Sequence, residues 1–372
     1  MRIAIDATPA ARQHAGVGRY TRELLRALVS ACDKHEYLLA VAGNETDERT
    51  LWSQLPPGAW REVRRLPFSD RASTAAWQRL RLPLTAERFI GAFDVFHGTD
   101  FVVPPTRSAT VVTIHDLTFF VAPEFSDPRL VRYLSSAVPR AIQRADAIIC
   151  VSSSVATEVA ERYPETRSRL FAIPNGVTVP RGAQQRREGT VPVILTVGTI
   201  QPRKDHMTLL DAMEHVWNRF PEARLDIVGR PGWLSEDIVQ RIQEAEQDRN
   251  VHWYSDADDA LLEQCYSKAT VFAYPARYEG FGLPVLEAMA RGIPVVASDA
   301  ATLEEVTAGA AVHTPVGNAE AFGSALIDLL ECREARDEKA KCGLQRSREF
   351  SWTNTASATL RAYEFAFERW TQ

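Results

Sequence analysis

Glu279 and Glu287 stand either side of Gly280-Phe281-Gly282-Leu283-Pro284, in a segment that follows an apolar run and enters a short helix-periodic one. A carboxylate accepts two vicinal hydroxyl donors at once, so one in the loop and one a turn into the helix suit separate parts of a polyhydroxylated ligand. Gly280 and Gly282 let backbone N–H groups gather where a helix carries its positive partial charge. Pro284 suits the first turn and Gly292 the position just past the end. A phosphate or a sugar hydroxyl fits such a place. The plainer reading makes Glu279 a cap and Glu287 a solvated side chain, and the glycine loop between them speaks against it.

A second group, Gly198-Thr199-Ile200-Gln201-Pro202-Arg203-Lys204-Asp205, again joins an apolar run to a helical one, at the sheet edge where open α/β folds bind ligands. Arg203 offers a fork for phosphate oxygens and Lys204 a point charge, and together they suit the negative charge on a leaving diphosphate. Earlier in the chain, Ala15-Gly16-Val17-Gly18-Arg19-Tyr20-Thr21 opens a helix. A dinucleotide fingerprint needs glycine where Thr21 stands, so a nicotinamide oxidoreductase is disfavoured. His115-Asp116 ends the run Thr110–Ile114, which puts an imidazole and a carboxylate at a strand end, with Asp116 expected to orient the ring. Asn175-Gly176-Val177 reads as a turn and hinge. Asp256-Ala257-Asp258 has the form of a metal-binding D-x-D, but it precedes a helix and capping explains it better. No catalytic metal and no cofactor are expected, since Arg203, Lys204 and the helix N-termini supply positive charge.

The elements that must hold these groups are short Val- and Ile-rich runs alternating with helix-periodic segments, the pattern of βαβ units and parallel sheets. Strands are predicted at 2–6, 37–42, 94–97, 110–115, 146–151 and 170–173, then at 193–198, 224–229, 251–254, 270–274 and 294–297. In the helix after Lys204, Leu209, Leu210, Met213, Val216, Trp217 and Phe220 share one face and are core. The polar stretch 179–191 has no periodicity and is the expected linker. The chain therefore divides into a Rossmann-like domain 1–178, a second Rossmann-like domain 192–352, and a terminal helix 353–372 that can return to the first. Leu360, Tyr363, Phe367 and Trp370 lie along one side of that helix. A ligand is expected in a cleft between the two domains.

The 372 residues fit two domains, and 45% hydrophobic with 24% charged residues excludes wholesale disorder. Five cysteines without a Cys-x-x-Cys pair argue against a disulfide framework or a zinc site, and are expected to be reduced and mostly buried. No run approaches the roughly 18 apolar residues of a membrane span, and the first residues lack a signal-peptide core, so a cytoplasmic protein is expected. Residues 1–178 hold 22 Lys and Arg against 19 Asp and Glu, a net +3, leaving −8 of the total −5 for residues 179–372. The first half is the one to meet an anionic surface, and Trp77, Leu80, Leu82 and Leu84 mixed with Arg79 and Arg81 suit peripheral contact with a membrane. A core Trp77 with solvated arginines explains that stretch equally well. No nucleic-acid partner is indicated.

The Glu279–Glu287 segment resembles the E-x7-E signature of retaining glycosyltransferases of family four, whose fold is the two-lobed GT-B, and the likeness extends over the whole chain. The resemblance implies that domain 1–178 binds the acceptor and domain 192–352 the nucleotide sugar. It implies that Glu279 and the amides of Gly280, Phe281, Gly282 and Leu283 meet the donor sugar, and that Glu287 bridges the two ribose hydroxyls of a nucleotide. It also implies that Gly198, Arg203 and Lys204 hold the diphosphate, that the Gly16 and Gly18 loop closes on it, and that His115 with Asp116 reaches the sugar. The Ile-Asp opening, the Gly-Val-Gly-Arg-Tyr loop and the string His115–Phe119 are similar to those of bacterial mannosyl- and rhamnosyltransferases of surface-polysaccharide assembly. The expected donor is GDP-mannose, ahead of UDP-glucose or a rhamnose donor, and the expected acceptor is a glycan or lipid-linked saccharide. A nucleotide-sugar epimerase and a non-catalytic nucleotide-sugar binding protein remain open as rivals on the same fold.

Overall fold

The computed structural model describes residues 1–13, 16–31, 34–42, 62–66, 84–178 and 191–372. The predicted linker 179–191, all but its last residue, and the stretch from Trp77 to Pro83 lie outside them. By their contacts the described residues form two units, one made of Met1–Leu117, Val131–Gly176 and Ser351–Gln372, the other of Thr118–Leu130 and Val177–Phe350. The chain thus passes between units more than once, and Thr118–Leu130 groups with the later residues.

In the first unit, Arg2–Asp6 (β1), Glu36–Ala42 (β2), Glu62–Leu66 (β3), Val95–Gly98 (β4), Ala109–Ile114 (β5), Ala147–Cys150 (β6) and Leu170–Ala172 (β7) form one parallel sheet in the order β3-β2-β1-β4-β5-β6-β7. Every residue of β5 is buried, as expected of a parallel strand covered on both faces. β3 was not predicted. Its sequence Glu-Val-Arg-Arg-Leu has no apolar run because it lies at the edge, where charge is tolerated and deters further pairing.

In the second unit, Val193–Val197 (β8), Arg224–Val228 (β9), Val251–Tyr254 (β10), Val271–Tyr274 (β11), Val295–Ser298 (β12) and Val312–Thr314 (β13) order as β10-β9-β8-β11-β12-β13, again all parallel. β13, a three-residue edge strand, is too short to show a pattern in the sequence. The helix His206–Arg219 buries Leu209, Leu210, Met213, Val216 and Trp217, with Phe220 partly buried just past its end, so the predicted stripe is core.

The last helix, Trp352–Thr371, belongs to the first unit and corrects its predicted face. Of the expected stripe only Tyr363 is fully buried, whereas Trp370 is 48% exposed. The packed face is Thr355, Ala356, Thr359, Ala362 and Ala366, small residues that let the helix lie close to its neighbours, together with the large ring of Tyr363. Among the described cysteines, Cys150 and Cys265 are buried thiols, while Cys332 and Cys342 are exposed, contrary to the expectation of mostly buried ones.

Candidate active site

Strand order reverses between β8 and β11, and the loops leaving these neighbouring strands carry both predicted groups of the second unit. The loops are stitched together. The Arg277 amide donates to the Arg203 carbonyl at 2.8 Å, the Arg203 guanidinium donates to the Tyr278 carbonyl at 2.9 Å, and Arg277 pairs with Asp205 at 2.9 Å. Asp205, with φ 53°, caps the helix that begins at His206, its side chain accepting from Thr208.

Glu279 sits in the middle of this clasp. Its Oε2 lies 3.1 Å from Arg203, its Oε1 pairs with Lys204, and the Tyr274 hydroxyl donates to the same oxygen at 2.8 Å while accepting from Lys204 at 2.6 Å. The Arg203 and Lys204 side chains are 12% exposed and that of Glu279 is 8% exposed. A carboxylate this buried requires such partners, because an unpaired one would cost several kcal/mol. Burial pushes the Tyr274 phenol well above its ordinary value, which keeps it a donor. Gly198 lies beneath the Lys204 stem, whose Cε would be 3.7 Å from a β-carbon there.

Glu287 is 4% exposed and therefore no solvated side chain. The Tyr266 hydroxyl donates to its Oε2 at 2.9 Å, and Arg291 donates to its backbone carbonyl while forking onto Glu263. Gly280 is buried, Phe281 packs edge-on against Phe350 at 5.9 Å, and Gly282 (φ 90°) precedes Leu283, the first residue of the helix Leu283–Ala290. Asp258 caps the following helix Asp259–Lys268 by accepting from the Leu261 amide at 2.8 Å, and Asp256 pairs with Arg230. Among the described residues no group of three or more His, Cys, Asp or Glu could hold a metal ion.

In the first unit, His115 follows β5, and its Nε2–H donates to the Thr99 carbonyl at 2.7 Å, which leaves Nδ1 as an acceptor. The backbone of Thr99 therefore orients the ring. The Asp116 charge favours protonation, but burial dominates and holds the imidazole below its usual pKa. The helix Val17–Ala31 begins at the glycine loop, where Gly16 has φ 57° and Gly18 approaches the Gln13 carbonyl so closely that a β-carbon would sit 1.9 Å from it. Asn175 is buried, and Gly176 lies against the backbone of Ser351 and Trp352, with a β-carbon position 2.2 Å from the Trp352 nitrogen.

Each predicted group is thus assembled within its own unit: Gly198, Arg203, Lys204 and the Glu279–Glu287 segment in the second, Gly16, Gly18, His115 and Asp116 in the first. The reading from sequence missed Tyr274, Tyr266 and Thr99. Tyr274 had a signal, a tyrosine closing an apolar strand just before the glycine loop, whereas Thr99 acts through a backbone atom that no side chain announces.

The family described as Glycosyltransferase Family 4 matches residues 14–181, and that described as Glycosyl transferases group 1 matches residues 182–345. An O-antigen chain mannosyltransferase B of Escherichia coli is 26% identical over 386 residues, covering 98% of this chain and 100% of that one. A sucrose-phosphate synthase from Thermosynechococcus elongatus superposes with a TM-score of 0.72 at 19% identity, covering 98% of both chains. The Anabaena protein HepE, solved with UDP and glucose, gives 0.71 at 17% identity, covering 97% of this chain and 98% of that one. Two consecutive family matches from residue 14 to residue 345, on a pair of Rossmann-like sheets that superposes end to end with these structures, establish that the chain is a glycosyltransferase of family 4 with the GT-B fold.

Proposed function

We propose that the protein is a retaining mannosyltransferase that uses GDP-mannose and acts on a hydroxyl of a glycan or lipid-linked saccharide. The observation that carries the donor side is the clasp of Glu279 by Arg203, Lys204 and Tyr274 at the β8–β11 switch point. Two cations at that edge suit a diphosphate, and the carboxylate between them suits the hydroxyls of the sugar it carries. Glu287, held by Tyr266, serves the ribose. His115, neutral with Nδ1 as acceptor, takes a hydrogen bond from a sugar hydroxyl. In the overall step the bond from the anomeric carbon to the phosphate oxygen breaks and one to the acceptor oxygen forms. The acceptor's proton and the nucleoside diphosphate leave.

The mannose assignment is supported by the name of the E. coli relative and by the motifs shared with such enzymes. UDP-glucose is the second donor to test, because HepE was solved with UDP and glucose. A panel of nucleotide sugars, with nucleoside diphosphate release and glycoside formation both measured, is the experiment. Release with a new α-glycoside from GDP-mannose is expected. An isomerised donor means an epimerase, and binding without release a binding protein. We further propose transfer without a metal, Arg203 and Lys204 providing the charge a divalent ion would bring. Activity should survive excess EDTA, and a loss restored by Mn²⁺ or Mg²⁺ would overturn this. No helix among the described residues is long and apolar enough to cross a membrane. Peripheral contact through the stretch beginning at Trp77 is a proposal, tested by sedimentation with anionic and neutral vesicles at low salt. Equal, negligible binding to both would remove it.

A further inference from the structure

Behind His115 lies a chain of buried polar side chains that the transfer reaction as described above does not use. The Tyr20 hydroxyl is 3.1 Å from Thr113 Oγ1, which is 2.8 Å from His97 Nε2, and His97 Nδ1 is 2.7 Å from the Tyr363 hydroxyl. None of the four residues is more than 1% exposed. They come from four elements: the helix that opens at Gly16-Val17-Gly18, the strands β5 and β4, and the terminal helix Trp352–Thr371. At the near end the Tyr20 ring meets the His115 ring edge-on at 4.9 Å and 81°, and Phe101, with φ 62°, meets it at 5.6 Å and 72°. The imidazole is thus held between two rings while its Nε2–H is fixed on Thr99.

We propose that Tyr20, Thr113, His97 and Tyr363 are positioning residues that set the orientation of His115 relative to the glycine loop, so that Nδ1 stays aimed at the substrate. A core needing only volume would use apolar side chains here. Four buried polar groups are tolerated only when each is bonded, and once bonded they admit one arrangement where an apolar core admits several. The direction of the chain is also restricted. Burial keeps His97 neutral, with a pKa of about 3, so its ring has one donor and one acceptor nitrogen, and Thr113 and the two phenols have one proton each. The two bonds at His97 therefore run the same way: either Tyr363 donates to Nδ1 and Nε2–H donates to Thr113, or Nδ1–H donates to Tyr363 and Thr113 donates to Nε2 while accepting from Tyr20. Reversing one bond at His97 means reversing the other, which makes the chain a stiff link between the terminal helix and the helix that follows the glycine loop. Trp352, from the same terminal helix, adds a ring contact to Tyr20 at 6.3 Å.

The proposal rests on the reading of His115 as a group that meets the donor sugar, and the test separates the two. Thr113→Val keeps the volume and breaks the chain, Thr113→Ser restores it, and Tyr363→Phe removes the far hydroxyl while keeping the ring. With GDP-mannose as donor, or the active donor of the panel, Thr113→Val and Tyr363→Phe are expected to lower kcat about 10-fold with the donor KM within twofold. Thr113→Ser should return kcat to within twofold. In ¹⁵N-histidine spectra His115 should show a single Nε2–H tautomer in the unmodified protein and a mixture in the two chain-breaking variants. Unchanged kcat and an unchanged His115 signal in folded Tyr363→Phe would overturn the proposal, as would a loss of kcat that Thr113→Ser does not reverse. If His115→Ala turns over normally while the tautomer still shifts in Thr113→Val, the positioning stands and the role given to His115 falls.

Discussion

At the scale of single residues, the donor side of this glycosyltransferase holds its own anion. Glu279 occupies both cations proposed for the diphosphate, so on that proposal an arriving phosphate shares or displaces it, and Tyr274 gives the carboxylate a second hold. Arg203→Ala or Lys204→Ala should each lower kcat/KM by about 2 to 4 kcal/mol, read from initial rates. Unaltered transfer in both would show that the diphosphate binds elsewhere. Glu287→Ala should weaken nucleoside diphosphate and intact donor alike, because both carry the ribose, whereas Glu279→Ala should mainly affect the sugar-bearing donor. Calorimetry with the reverse ranking would exchange their roles. The charged members of this site were legible because their types and spacing are unusual. Their partners were not, because Tyr266 looks like one more apolar position of a helix and Thr99 contributes only a carbonyl.

At the scale of elements, Gly282 decides where the helix Leu283–Ala290 starts. It has φ 90°, a region costly to residues with a β-carbon, and an added methyl would lie 2.7 Å from Leu303 Cδ2. Gly282→Ala should therefore cost about 1 to 3 kcal/mol of stability in urea denaturation and raise the donor KM, since the helix end moves with it. A variant as stable as the parent would show that the turn relaxes freely. The eleven strands predicted from apolar runs all form: nine lie inside their sheets, where a strand covered on both faces has to be apolar along its length, and β7 and β10 lie at edges. What escaped prediction is the charged edge strand β3, the short edge strand β13, and the packed face of the terminal helix, where alanines and threonines accompany Trp352 and Tyr363.

At the scale of the molecule, each unit holds a histidine that burial keeps at a pKa of about 3, His97 in the first and His206 in the second. His206 Nδ1 makes no hydrogen bond. In the unfolded chain an imidazole binds its proton near pH 6.5, so the unfolded state takes up protons that the native one refuses. Stability from this source is whole above about pH 6.5 and is lost as pH falls towards 3, by up to about 1.4 kcal/mol per pH unit for each histidine. His206→Gln should lose less on going from pH 7 to pH 5 than the parent, measured by urea midpoints, and an equal loss would place the acid sensitivity elsewhere. The division into units also bears on synthesis. Ser351–Gln372 belongs with Met1–Leu117 and Val131–Gly176, and Tyr363 and Trp352 meet His97 and Tyr20 in their interior. The unit whose residues leave the ribosome first thus waits for residues made after the whole of the second unit. A nascent chain stalled after residue 350 should present a protease-resistant second unit beside a first one still open to cleavage, and a fragment ending at residue 178 should resist protease only when a segment carrying 351–372 is supplied with it.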